Sequence, residues 1–198
     1  MLDEFRRVGR DLFLSGLVSS HAGNLSVRLG DRVLITRRGA RLGHLRRQDV
    51  VETGLFENDS GIALASSEIR VHRAIYQETS ALAVVHAHPP YTVVLSLTRE
   101  AIVPVDSEAS YLLHRVPVVS AERTIGSGEA AALVAPALRD YKIVVLRGHG
   151  TFAVGQFLEE ALQWTTCLEA ASKILYLLEL SGKEKREYRR GAEGYERW

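Results

Sequence analysis

His86 and His88 stand two residues apart in the run Ala83-Val84-Val85-His86-Ala87-His88-Pro89. Side chains on a strand alternate between faces, so a His-x-His pair sends both imidazoles to one side. A third histidine, His149, lies between Gly148 and Gly150 at the end of another apolar run. Two neutral imidazoles from one strand and a third from a separate segment make the three-histidine set of a catalytic zinc, which keeps one coordination position open. At that position the ion polarises a carbonyl or hydroxyl oxygen. Glu68, within Ser66-Ser67-Glu68-Ile69-Arg70-Val71-His72, adds a carboxylate ahead of the His-x-His strand. It offers a fourth ligand, a general acid/base, or both by turns. Beside Zn²⁺ a carboxylate stays ionised, which suits a base that takes a proton from carbon. Singly, each residue has a plainer reading, as a core or surface histidine or a first-turn glutamate facing the helix dipole. Together they point to a metal.

A second group is made of Ala22-Gly23-Asn24, Arg37-Arg38-Gly39-Ala40 and Ser66-Ser67. Gly-Asn and Arg-Gly turns expose backbone amides, and two serines at a helix start add hydroxyls and further amides. A phosphate needs such donors. Taken one at a time, these residues are turns and caps.

The elements that must position these groups follow from the pattern around them. Residues 3–16 place Phe5, Val8, Leu12, Phe13 and Leu17 at helical spacing. Residues 24–28 and 32–36 predict two strands around a tight Gly30-Asp31 turn. Gln48-Asp49-Val50-Val51 and Ala63-Leu64 predict short further strands, and Ser66-Ser67-Glu68 a helix start with Glu68 in its first turn. A buried strand over residues 81–88 ends at Pro89-Pro90, followed by a helix over 91–97. A helix opens at residues 126–129 and runs to about Leu138, and residues 142–146 form another buried strand. The long segment 158–180 predicts a helix with Leu162, Cys167, Leu168, Ala171, Ile174 and Leu178 along one side. Helices and strands interleave without a regular strand-helix-strand period, which predicts a layered α/β/α domain with a central mixed, largely antiparallel sheet. Neither a dinucleotide-binding glycine fingerprint nor a phosphate-binding Walker loop is present.

At 198 residues and 46% hydrophobic content the chain is long enough for a full core. We expect one domain over residues 1–182 and a charged tail over 183–198. The tail's Tyr188, Tyr195 and Trp198 suit docking on a neighbouring subunit. A net charge of +1 gives no field for nucleic acid or an acidic membrane. The single cysteine, Cys167, forms no internal disulfide, and the first residues carry charge where a secretory signal has an apolar core. No apolar run reaches spanning length. A cytoplasmic protein with no membrane partner is expected.

The motifs taken in order resemble the class II aldolase/adducin family. They are Gly-Asn-x-Ser-x-Arg from Gly23, Ile-Thr-x-x-Gly from Ile35, Ser-Ser-Glu-x-x-x-His from Ser66, His-x-His from His86, and His149 with its glycine. They span residues 20 to 180, and the ordered set is far more specific than any one motif. The resemblance implies a zinc enzyme that cleaves a ketose 1-phosphate into dihydroxyacetone phosphate and a short aldehyde. His86, His88 and His149 would bind Zn²⁺, and Glu68 would ligate it at rest and shuttle the proton at C1 of the enediolate. Asn24, Arg38, Gly39, Ser66 and Ser67 would hold the substrate's phosphate. A homotetramer is implied, with a neighbour's tail reaching the zinc site. Two departures stand out. Arg38 replaces a threonine of the family's aldolases, and a guanidinium binds phosphate bidentately or takes a carboxylate instead. The family's catalytic tyrosine falls near residues 106–111, on Glu108 or Tyr111. Related epimerases carry Asp where this chain has Glu68; related dehydratases and decarboxylases share the zinc set. Adducin-like scaffolds are expected to have lost the ligands that this chain keeps.

Overall fold

A computed structural model describes residues 1–182, and the tail aromatics Tyr188, Tyr195 and Trp198 lie outside them. Eight strands form one mixed sheet: β1 (Asn24–Leu29), β2 (Arg32–Thr36), β3 (Val50–Gly54), β4 (Ala83–Ala87), β5 (Ala101–Ile102), β6 (Val116–Val119), β7 (Ile143–Leu146) and β8 (Gly150–Gly155). Their order is β3-β2-β1-β4-β8-β7-β6-β5. The β6–β7 pair is parallel and the other pairings are antiparallel. The expected mixed, largely antiparallel α/β architecture is the one observed.

Parity along each strand sorts side chains into two cores. On β4, Ala83, Val85 and Ala87 face one layer, built with α1 (Leu2–Leu14), α3 (Pro90–Ser96), α4 (Ser107–Leu112) and α6 (Leu158–Leu180). Val84 faces the other, built with α2 (Ile69–Glu78) and α5 (Gly128–Ala137). β7 divides in the same way, Ile143 and Val145 against Val144 and Leu146. In α1 the helical spacing of Phe5, Val8 and Leu12 buries all three fully. Each such apolar side chain contributes about 1.5–3 kcal/mol by leaving water. In α6 the buried stripe runs through Leu158, Ala161, Trp164, Leu168, Ala171 and Leu175. Ile174, expected on that stripe, is 44% exposed, so the buried face is rotated from the expected one.

Other boundaries move for local reasons. Ala63-Leu64 is not a strand: Ser60–Ala63 forms a 3₁₀ turn whose Gly61 N–H donates to the Asp59 carboxylate. Pairing there shrinks to one antiparallel bridge, Arg37 with Ala65. Gln48-Asp49 also falls short of β3, in the 3₁₀ turn Arg47–Asp49, because the Asp49 carboxylate accepts from the Arg46 backbone N–H. Glu68 sits at the N-cap of α2, one residue before the helix proper, and its backbone N–H donates to the Ser66 hydroxyl. No helix among the described residues is long and apolar enough to cross a membrane.

Candidate metal centre

His86 is the fourth residue of β4 and lies opposite Asn24 on one neighbour, β1, and Phe152 on the other, β8. Its ring stacks on Phe152, centroids 4.2 Å apart and planes at 18°. His88 follows the end of the strand, with its Nε2 3.0 Å from that of His86. His149 arrives from the β7–β8 turn, through the left-handed Gly148. The next residue, Gly150, starts β8 with its Cα against Ala87; a Cβ there would stand 2.2 Å from the Ala87 carbonyl oxygen. A larger residue would therefore push apart the two segments that carry the imidazoles. One ligand nitrogen from each of the three histidines falls within 4.8 Å of the others.

The protonation states suit a metal. His86 Nδ1 lies 2.9 Å from the Thr151 carbonyl and His149 Nδ1 lies 3.1 Å from the Thr124 carbonyl. A carbonyl only accepts, so each Nδ1 carries the proton and each Nε2 keeps its lone pair. Burial lowers the proton affinity of His86 well below the ordinary value, and its two histidine neighbours lower it further. Burial, with His149 nearby, brings His88 to about 4, and burial lowers His149 as well. Three neutral imidazoles with converging lone pairs fit a divalent ion.

Glu68 lies outside that group of three but shares a segment with it. Its side chain is buried, and Oε1 accepts from the Gly126 N–H at 3.0 Å. Gly126 is two residues from Thr124, whose carbonyl meets His149. Residues 124–126 thus tie the carboxylate and the third imidazole to one stretch of backbone. Gly126 is left-handed (φ +58°), and a Cβ on it would stand 2.3 Å from the Ser67 carbonyl oxygen. Glu68 Oε2 is buried with no hydrogen-bond partner. Burial raises the carboxyl to about 7, against the smaller opposing effect of the Gly126 bond.

The five residues expected at the phosphate gather at the same end of the sheet. Asn24 opens β1 beside His86, and its buried Oδ1 has no partner. The Arg38 N–H donates to the Leu64 carbonyl and the Ser66 N–H to the Thr36 carbonyl, which brings Arg38-Gly39 alongside Ser66-Ser67. Arg38, Gly39 and Ser67 are exposed, whereas Ser66 is buried. Glu108 and Tyr111 are placed elsewhere. They lie on α4, which packs on α6 across the sheet from α2, and the Glu108 charge acts on Cys167 of α6. Sequence reasoning missed Thr151, Thr124, Phe152 and Gly126. The first two and Gly126 act through backbone atoms, which leave little trace in residue type, and Gly126 was visible only as part of a helix start.

A three-imidazole centre beside a buried carboxylate, at the end of a central strand of a helix-covered mixed sheet, is the apparatus of a metal-dependent enzyme. The chain belongs to the family of the class II aldolase and adducin N-terminal domain, which it matches over residues 3–176, and it is an enzyme of the lyase kind found there. It is similar to L-fuculose-1-phosphate aldolase from Thermus thermophilus: 40% identical, with a TM-score of 0.87, over 91% of this chain and 95% of that one. It is 30% identical to an L-fuculose phosphate aldolase of Methanococcus maripaludis, covering 89% of this chain and 97% of the relative. A 3-oxo-tetronate 4-phosphate decarboxylase of Pectobacterium atrosepticum is 29% identical over 88% and 83%.

Proposed function

We propose that this protein is a zinc-dependent aldolase that cleaves a ketose 1-phosphate to dihydroxyacetone phosphate and an aldehyde. L-fuculose 1-phosphate, giving L-lactaldehyde, is the first substrate to test. The observation that carries the reading is the convergence of three neutral imidazoles beside a buried carboxylate with one unpartnered oxygen. His86, His88 and His149 hold the zinc, with Glu68 as a ligand at rest. When bound, zinc supplies a Lewis acid that stabilises negative charge developing on substrate oxygens.

The chain's own residues do the rest. Asn24, Arg38, Gly39, Ser66 and Ser67 bind the phosphate and so fix the carbon chain relative to Glu68. Glu68 is held at Oε1 by Gly126, which leaves Oε2 to move the proton. Oε2 gives a proton to the carbon released when the carbon–carbon bond breaks, and takes it back in the direction of synthesis. Glu108 or Tyr111 takes the proton from the hydroxyl that becomes the departing aldehyde's carbonyl, and returns it to that oxygen in the direction of synthesis. α4 packs in the opposite layer from α2, which favours this group coming from a neighbouring subunit. We infer a homotetramer, and propose that residues 183–198 dock on the neighbouring subunit. A reducing cytoplasm is the setting we infer.

The test is a panel of ketose 1-phosphates offered to zinc-loaded protein, with dihydroxyacetone phosphate as the detected product. Release from L-fuculose 1-phosphate above all others is expected, and no release from any member would overturn the reading. Arg38 and the decarboxylase relative favour one alternative, an oxo-acid phosphate whose carboxylate meets the guanidinium. Carbon dioxide from such a substrate, without aldol cleavage, would select it.

A further inference from the structure

A cavity of about 310 Å³ adjoins the Arg38-Gly39 turn and is lined, beside Gly39, by His21, Arg37, Arg41, His44, Arg46 and Asp49. Three guanidinium groups and two imidazoles thus meet a single carboxylate. The chain as a whole carries only +1, so this excess is local.

Asp49 organises one wall. Its side chain is 3% exposed and receives Arg37 Nε at 2.7 Å and Arg46 Nε at 3.1 Å. Arg37 and Asp49 also continue the β2–β3 register, the Arg37 N–H donating to the Asp49 carbonyl at 2.8 Å. One buried carboxylate therefore pins two guanidiniums while neutralising one of them. A guanidinium has five N–H donors in a fixed fork, and the contacts to Asp49 leave several unused. Arg41 is exposed and makes no side-chain hydrogen bond or ion pair among the described residues. Of the phosphate-cradle residues, Gly39 borders this cavity, whereas Asn24, Arg38, Ser66 and Ser67 do not line it.

We propose that this cavity is a second anion site, which binds the phosphate group of a small metabolite separately from the cradle beside the histidines. Planar, partly pre-positioned guanidiniums recognise a phosphate bidentately. The volume exceeds that of a bare phosphate and falls in the range of small-ligand sites. The inference rests on these residues alone and stands whichever reaction the histidine centre performs.

The experiment is calorimetric titration of the full-length, zinc-loaded protein with inorganic phosphate and, separately, with glucose 6-phosphate. Arg41→Ala should weaken one class of site roughly tenfold, the loss of one charge-assisted contact. Arg41 is exposed and unbonded, so the variant folds. Ser67→Ala should leave that class intact, and Arg47→Ala, an exposed neighbour outside the cavity, should bind both probes as wild type does. An effect of Arg41→Ala on glucose 6-phosphate alone still supports the site, as one for phosphate esters. Wild-type binding of both probes by Arg41→Ala would overturn it. So would a single site lost equally in Arg41→Ala and Ser67→Ala, or equal weakening by Arg47→Ala.

Discussion

The imidazole centre and the proposed phosphate cradle occupy one end of the same sheet and are held by different means. His86 is 1% exposed, stacked on its cross-strand partner and fixed at Nδ1 by the Thr151 carbonyl. Of the proposed cradle, Asn24 and Ser66 are buried, whereas the turn residues Arg38, Gly39 and Ser67 are exposed, and the Arg38 guanidinium has no partner among the described residues. A strand-built, carbonyl-locked group has its geometry before any ligand arrives, whereas exposed turn residues are ordered by the ligand itself. On the proposed assignment, chemistry that tolerates little displacement is held by buried or carbonyl-fixed groups, His86 on β4 with His88 just beyond it and His149 fixed at Nδ1. The grip on a non-reacting group falls to exposed turn residues. Damage to the first should be all-or-none and damage to the second graded.

His86→Ala should have the largest effect. It removes a ligand, the stacking on Phe152 and the donor to the Thr151 carbonyl at one buried point. Zinc should fall from about one per chain to a trace, and cleavage to background. Melting temperature should fall more than for His149→Ala, because His149 is only half-buried. Elemental analysis and thermal unfolding check both. Retention of stoichiometric zinc by His86→Ala would break the comparison at its stronger half.

Glu68→Gln comes next and sharpens the division between chemistry and binding. A proton shuttle acts in the transition state, so kcat should fall by about 10²–10⁴ with KM little changed. The metal-free protein gives a second readout. Burial raises the folded carboxyl from its ordinary 4.5 to about 7, so between those values the folded chain binds more protons than the unfolded one. The contribution of Glu68 to stability therefore falls as pH rises from about 4.5 through 7. Glutamine does not ionise. In chelator, the melting temperature of Glu68→Gln relative to wild type should rise between pH 5 and pH 8, and added zinc should shrink the gap. An offset independent of pH would mean that the carboxyl is not held proton-rich.

The same contrast explains what could be read from the sequence. His-x-His was legible because strand alternation alone puts both rings on one face, and β1, β2 and α6 followed from runs long enough to show a period. The short pieces were not. β5 has two residues, and α4 has six, opened by Asp106 accepting from the Ala109 N–H. β8 was hidden behind Gly150, whose purpose is close approach to Ala87 and not a turn. Ala63-Leu64 looked extended because both residues are apolar, yet the Asp59 carboxylate curls the chain there into a 3₁₀ turn. The segment that joins Glu68 to His149 stayed invisible, since Thr124 and Gly126 contribute a carbonyl and an N–H that any residue has.

The smallest effect is expected at the cradle. Arg38→Ala removes an exposed guanidinium that makes no bond within the described residues, so folding and zinc content should not change. Its expected partner is the phosphate, which does not react. KM for a phosphorylated ketose should rise roughly five- to tenfold, as one charge-assisted hydrogen bond is lost, with kcat nearly constant. The unphosphorylated ketose should be handled by Arg38→Ala and wild type alike. Arg38→Lys should recover part of the loss, since it keeps the charge without the bidentate fork. Equal losses toward both ketoses would assign Arg38 to another oxygen of the substrate, and a fall in kcat as large as that of Glu68→Gln would erase the distinction between a centre that is prebuilt and a cradle that the ligand completes.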